Sequence, residues 1–371
     1  MIVDCHAHVF ENWHGACGHP SRAVHLKYLQ KVVTRPAARA FRVRDGKELK
    51  PTMLFRQGDN TWAGLVEVDF RVGPYGQLAF TYEGEDYYVQ YMPVGMQEIV
   101  CPPDFLLAQM TYAGVDHAIL QAGGGYGAMN DYNAFAQSQH PGKFTGLLNV
   151  DEALADRDSV LAEVDRAHRL GLKGLYYSQD FSRHGYERNV DHAAFAPFWE
   201  KVVRLKLPVF IELSSTPSYD AAGYLGNLLA LGRLLKRHPA HPFVCVMGPP
   251  AAYFARAGKW EIPDEALEVY RRDNLLLEVM FPISWGGVWD YPYPEAQELI
   301  RGMRDRFGAA KLVWGSDMPN VERFCTYKQC VDYVRRHCGF LSAAETDRIL
   351  GDNVAALFNE AERRFAASRA S

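Results

Sequence analysis

A chain of 371 residues, 48% hydrophobic and 13% aromatic, carries enough apolar material for a large buried core and is neither a disordered nor a fibrous polypeptide. A formal charge of −4 with no run of Lys or Arg argues against a nucleic-acid or membrane-surface footprint, so the expected partner is a small molecule. No uninterrupted apolar stretch of about 18 residues is present, and Met-Ile-Val-Asp-Cys-His lacks the basic and apolar regions of a secretion signal, so a cytoplasmic protein with no membrane partner is expected.

The chain opens on Ile2–Val9, an apolar run with His6 and His8 two residues apart. In a strand that spacing sends both imidazoles to one face, where they can converge on a metal ion. Residues 10–102 are rich in Gly, Pro and aromatics, with short candidate strands at Gly64–Arg71, Leu78–Tyr82 and Asp86–Tyr91 and turn signals at Gly73-Pro-Tyr-Gly76 and Gly84-Glu-Asp. They read as a β-rich insertion after the first strand, serving as a lid or as a dimerisation arm.

From about residue 103, β-rich runs alternate with helical patterns. Val115–Ala122, Thr145–Val150, Leu172–Ser178, Leu207–Ser215, Pro242–Gly248, Asn274–Pro282 and Lys311–Pro319 read as strands, separated by amphipathic segments such as Ser159–Leu170, Ala194–Leu205 and Pro294–Phe307. With Ile2–Val9 these make eight units, which predicts an α/β fold, a (β/α)8 TIM barrel formed by one domain over residues 1–371. An insertion leaving the C-terminal end of the first strand would then lie over the barrel mouth. The rival doubly wound sheet lacks its G-x-G-x-x-G, because Gly123-Gly124-Gly125-Tyr126-Gly127 has a different spacing. The seven cysteines, Cys5, Cys17, Cys101, Cys245, Cys325, Cys330 and Cys338, are scattered without a C-x-x-C pair and read as reduced thiols.

Five segments together resemble the amidohydrolase superfamily, in its branch containing α-amino-β-carboxymuconate-semialdehyde decarboxylase and the γ-resorcylate-type decarboxylases. They are Asp4-Cys-His6-Ala-His8, Asp191-His-Ala-Ala-Phe-Ala-Pro-Phe-Trp199, Leu207-Pro-Val-Phe-Ile211, Trp314-Gly-Ser-Asp317-Met-Pro319 and Ile349-Leu-Gly-Asp-Asn353-Val-Ala-Ala-Leu-Phe358. The resemblance implies one divalent ion held by the H-x-H of the first strand, a His ending the fifth and an Asp ending the eighth. It also implies a homodimer. His6, His8 and Asp317 match, whereas the fifth strand offers Glu212, and the sixth offers Met247 where a proton-handling His is common.

Glu212 is still a competent donor, so the expected metal ligands are His6, His8, Glu212 and Asp317, a set suited to Zn, Mn or Fe. Two carboxylates would offset the ion's charge and favour chelation of an anionic substrate over activation of water. With Met247 unable to move a proton, Asp317 and Glu278, the latter in the apolar strand Leu275-Leu-Leu-Glu278-Val-Met, are the expected catalytic groups. Tyr176, Tyr177 and Trp285 supply candidate aromatic walls for a planar substrate, and Arg323 a candidate carboxylate clamp. These residues point to a metal-dependent decarboxylase of a small aromatic or ring-cleavage carboxylic acid. The alternatives are a hydrolase or hydratase using activated water, and a catalytically silent ligand-binding barrel.

Overall fold

The computed structural model describes residues 1–35, 38–280 and 289–358. Eight parallel strands form one sheet in chain order: β1 (Val3–Ala7), β2 (His117–Leu120), β3 (Phe144–Leu148), β4 (Gly174–Ser178), β5 (Val209–Glu212), β6 (Phe243–Val246), β7 (Leu275–Met280) and β8 (Leu312–Gly315). The sheet closes on itself where Ala7 pairs with Met318, the Asp317 N–H donates to the His6 carbonyl at 2.8 Å, and the His8 N–H donates to the Met318 carbonyl at 2.8 Å. The eight-stranded TIM barrel expected from the alternation is therefore the observed architecture.

The apolar runs become strands buried on both faces, as a parallel sheet requires. Val3, Cys5, Ile119, Leu147, Tyr176, Phe210, Val244, Val246 and Val313, from seven of the eight strands, pack together in the barrel interior. Their sequence neighbours Leu175, Tyr177, Val209, Ile211, Cys245 and Trp314 face the surrounding helices. Those helices bury one stripe each. In Asp158–Arg169, Val160, Val164 and Ala167 lie inside at i, i+4 and i+7, while Arg166, His168 and Arg169 sit in the last turn, where positive charge suits the helix dipole. All seven cysteines are free and buried. Among the described residues no helix is long and apolar enough to cross a membrane.

The segment between β1 and its helix Pro103–Ala113 holds the helix Arg22–Val32 and a five-stranded antiparallel sheet with strand order Glu48–Leu49, Ala40–Arg42, Glu85–Gln90, Gln77–Tyr82, Arg71–Val72. Glu83 and Gly84, both left-handed at φ 51° and 77°, close the hairpin Gln77–Tyr82/Glu85–Gln90. Gly64–Arg71, expected as a strand, is not one. Its alternating Val66, Val68 and Phe70 are drawn elsewhere, because the Val66 N–H donates to the Leu54 carbonyl at 3.0 Å and the buried Gln30 amide donates to the Val66 carbonyl at 2.8 Å. The insertion is tied to loops at the C-terminal end of the barrel. The Trp62 N–H donates to the Ser182 carbonyl at 2.9 Å, Arg183 donates to the Tyr28 hydroxyl at 3.0 Å, and the Tyr186 hydroxyl donates to the Asn60 carbonyl at 3.0 Å.

Candidate active site at the barrel mouth

A cavity of about 970 Å³ opens between the C-terminal strand ends and the insertion, lined from the barrel by His6, His8, Tyr176, Glu212, Met247 and Asp317, and from the insertion by Tyr28, Lys31, Arg35 and Trp62. The two histidines reach it through an irregularity in β1. Asp4 pairs with Ala118 but Ala7 with Leu120, so β1 fits one extra residue against β2. Such a bulge shifts the alternation, so Cys5 and His6 both turn inward. The floor below is fixed by Asp4. Its carboxylate accepts from the His6 N–H at 2.9 Å, the Ser316 N–H at 3.0 Å, the Ser316 hydroxyl and the Tyr327 hydroxyl at 2.6 Å, while its burial lifts its pKa to about 6.

His6, His8 and Asp317 are 3%, 2% and 3% exposed, and each offers a donor atom within 4.8 Å of the others. Their outer contacts decide which atoms face inward. His8 Nδ1 lies 3.0 Å from the Gln121 carbonyl, and His6 Nδ1 lies 2.9 Å from Glu278 Oε1. Both partners only accept, so both Nδ1 atoms carry hydrogen and both Nε2 atoms present lone pairs. Those two nitrogens are 3.1 Å apart, and Asp317 Oδ1 stands 3.1 Å from His8 Nε2 and 3.7 Å from His6 Nε2. Three lone pairs thus converge with no hydrogen among them when the rings are neutral. Only a proton or a cation relieves that arrangement, and two imidazoles with a carboxylate suit a divalent ion.

The same geometry sets the titration. Burial disfavours a charge on His6, but Glu278 at Nδ1 and Asp317 near Nε2 outweigh it and push its pKa up to about 9. Burial prevails at His8, which also faces His6, and lowers its pKa. Burial opposes the Asp317 carboxylate as well, yet its close contact with His8 and the charge the nearby imidazoles take up hold it below the usual range. Asp317 adopts the left-handed conformation at φ 60°, and Asn320 Nδ2 donates to its Oδ2 at 2.9 Å. At such a site backbone strain is sustained by the contacts around it.

Glu278 faces inward but does not line the cavity. One oxygen receives His6 Nδ1–H, the other accepts the Met247 N–H at 2.5 Å, and the Cys5 thiol lies 3.7 Å away. Gly315 makes room for it, since a Cβ there would fall 2.0 Å from Glu278 Oε1. Glu278 therefore sits behind His6, where a carboxylate orients a metal-binding imidazole. Glu212 stands apart from the three-residue cluster, with Oε2 accepting from the Tyr176 hydroxyl and Oε1 3.9 Å from Arg35. Tyr177 points away from the cavity and packs on Trp199, with ring centroids 5.0 Å apart, because successive residues of β4 face opposite sides. Arg323 is in the cavity wall, 3.5 Å from the Gln90 carbonyl, and its Nε has no hydrogen-bond partner. Trp285 lies outside the described residues.

The family model described as amidohydrolase matches residues 3–359. The chain belongs to the amidohydrolase family. Among solved structures this amidohydrolase is similar to 2,6-dihydroxybenzoate decarboxylase complexed with 2,6-dihydroxybenzoate, at 15% identity and TM-score 0.53, over 73% of this chain and 90% of that one. It is also similar to a probable 2-pyrone-4,6-dicarboxylic acid hydrolase of Acinetobacter baumannii with citric acid bound, at 18% identity and TM-score 0.53, over 70% and 90%. A third is an amidohydrolase of Burkholderia multivorans with bound zinc, at 18% identity and TM-score 0.52, over 70% and 89%. No match was found among the curated proteins.

Three further residues complete the amidohydrolase mouth. Tyr126, from the glycine-rich loop after β2, stacks on His8 with centroids 3.9 Å apart and donates to Asp317 Oδ1 at 3.3 Å. Asn320 holds the second oxygen of Asp317. Glu152, recessed in the wall after β3, accepts the Ser178 N–H at 3.0 Å, yet burial lifts its pKa to about 8. Glu152 and Tyr126 each follow a barrel strand, the position where such folds place functional groups, and that was their one sequence signal. Their partners are between 26 and 191 residues distant in the chain, which no local pattern reveals.

Proposed function

We propose that this amidohydrolase is a metal-dependent carbon–carbon lyase, a decarboxylase of a small aromatic or ring-cleavage carboxylic acid. The observation that carries the reading is the convergence of His6 Nε2, His8 Nε2 and Asp317 Oδ1 in a cavity whose wall also bears Arg323. These three residues would hold one divalent ion, Zn, Mn or Fe, and the ion when bound supplies positive charge that attracts the substrate carboxylate and the oxygen beside it. Arg323, which has no carboxylate within ion-pair range among the described residues, offers a planar donor fork to the same carboxylate. Tyr176 lines the cavity and holds Glu212 by a hydrogen bond. With Asp317 committed to the ion, Glu212 is the carboxyl placed to take up a proton from solvent and hand it to the ring carbon as its bond to CO₂ breaks. Glu278 acts as a positioning residue through His6.

Met247 on the cavity wall favours a second reading. With no imidazole at the end of β6, Glu212 could instead take a proton from water attacking a lactone or amide, making the enzyme a hydrolase. Protein reconstituted with Zn, Mn or Fe and incubated with hydroxybenzoate- and muconate-type acids separates the two. Release of CO₂ is the expected result. Hydrolysis of lactones with no CO₂ from any acid overturns the lyase in favour of the hydrolase.

A further inference from the structure

Lys31, in the last turn of the insertion helix Arg22–Val32, is 6% exposed and lines the cavity. Its ammonium donates to the Tyr219 hydroxyl at 2.8 Å and lies 5.5 Å from the centre of that ring. Among the described residues it makes no ion pair. Asp59 feels its charge from beyond that range, but one Asp59 oxygen already accepts the Thr61 N–H and hydroxyl at 3.0 and 2.6 Å. Other cations on the wall are differently placed: Arg39, Arg166 and Arg183 have carboxylates at 3.1, 2.7 and 2.7 Å, and Arg35 has Glu212 at 3.9 Å. Among the described residues Lys31 and Arg323 have none. They belong to different segments and different partners, Lys31 to the loop after β5 through Tyr219 and Arg323 to the insertion strand Glu85–Gln90 through Gln90. A buried ammonium without a counter-ion is costly, and the cost is recovered only when an anion arrives.

We propose that Lys31, positioned by Tyr219, forms a second anion subsite, so that the substrate is a dicarboxylic acid with one carboxylate on Arg323 and the other on Lys31. The Tyr219 hydroxyl accepts from Lys31 and also meets the Tyr186 hydroxyl, so it holds the ammonium in place at the cavity wall. The assignment rests on the reading of Arg323 given above.

Calorimetric titration of the metal-loaded enzyme with benzoate, isophthalate and terephthalate tests it. At least one dicarboxylate is expected to bind about tenfold or more tighter than benzoate, the yield of one charge-assisted hydrogen bond. Lys31→Met should abolish that ratio while leaving benzoate affinity unchanged, and Tyr219→Phe should reduce it. Lys31→Met is also expected to melt no lower than the wild type, because an uncompensated buried charge has gone. Equal binding of all three acids to the wild type, or a ratio that survives Lys31→Met, overturns the second subsite; if Arg323→Met still weakens benzoate, the carboxylate clamp stands. Benzoate binding indifferent to Arg323→Met overturns the clamp and the dicarboxylate assignment together.

Discussion

Two corners of one cavity use similar residues to opposite effect. Where β1 meets β8, two neutral imidazoles and a carboxylate turn lone pairs toward each other, since both Nδ1 hydrogens are committed outward to Glu278 and Gln121. Where β4 meets β5, the Glu212 carboxylate is met by the Tyr176 hydroxyl and approached by Arg35, so each acceptor has a donor. The first corner takes its positive charge from a proton on His6 or from an ion, whereas the second has the Arg35 guanidinium. Residue type alone would have merged them into one four-ligand set, and what separates them is which groups already have a hydrogen aimed at them.

The comparison breaks most sharply on metal content. His6→Ala is expected to lose the bound ion and, with it, turnover, whereas Glu212→Gln should keep about one equivalent of metal and lose about 10²–10⁴ in kcat, the usual contribution of a general acid. Elemental analysis beside turnover of both variants checks this, and loss of metal from Glu212→Gln would show that the two corners act as one. A smaller effect is expected from behind the first corner. Glu278→Gln keeps a group against His6 but removes the charge, so metal affinity should weaken by about 10–100-fold, as read by competition with a chelating dye.

The smallest effect concerns Glu152, on the wall near the second corner. Its folded pKa, raised by burial from 4.5 to about 8, exceeds the unfolded value, so its favourable contribution to stability is complete below pH 4.5 and is lost as pH rises through 8. Glu152→Gln cannot ionise. Its melting temperature relative to the wild type should therefore climb between pH 5 and 9, and calorimetric melts that run parallel over that range would show that Glu152 ionises freely in the fold.

Much of the frame was legible. Seven of the eight barrel strands fall within the expected runs, because mostly apolar runs mark a sheet buried on both faces, and Phe144–Leu148 starts one residue before its own; His6, His8 and Asp317 were visible as strand-end residues. Gly64–Arg71 misled because its alternation satisfied the strand pattern while its hydrogen bonds went to Leu54 and Gln30. Tyr177 misled because the inward register of β4 depends on its neighbours, and a shift of one residue exchanges the two faces.

The sequence by itself determined the alternation of strands and helices, and hence the barrel, because local periodicity follows directly from 2.0 and 3.6 residues per repeat. It also determined which polar residues end the strands. Only the tertiary structure decided what those residues do, because their protons, charges and orientations are set by partners brought from elsewhere in the chain. The bulge in β1, Glu278 behind His6, Tyr126 over His8, and an ammonium at Lys31 buried against the Tyr219 hydroxyl each depend on a contact between distant segments. Local pattern fixes where a side chain starts, and packing fixes the dielectric and hydrogen bonds that give it chemistry.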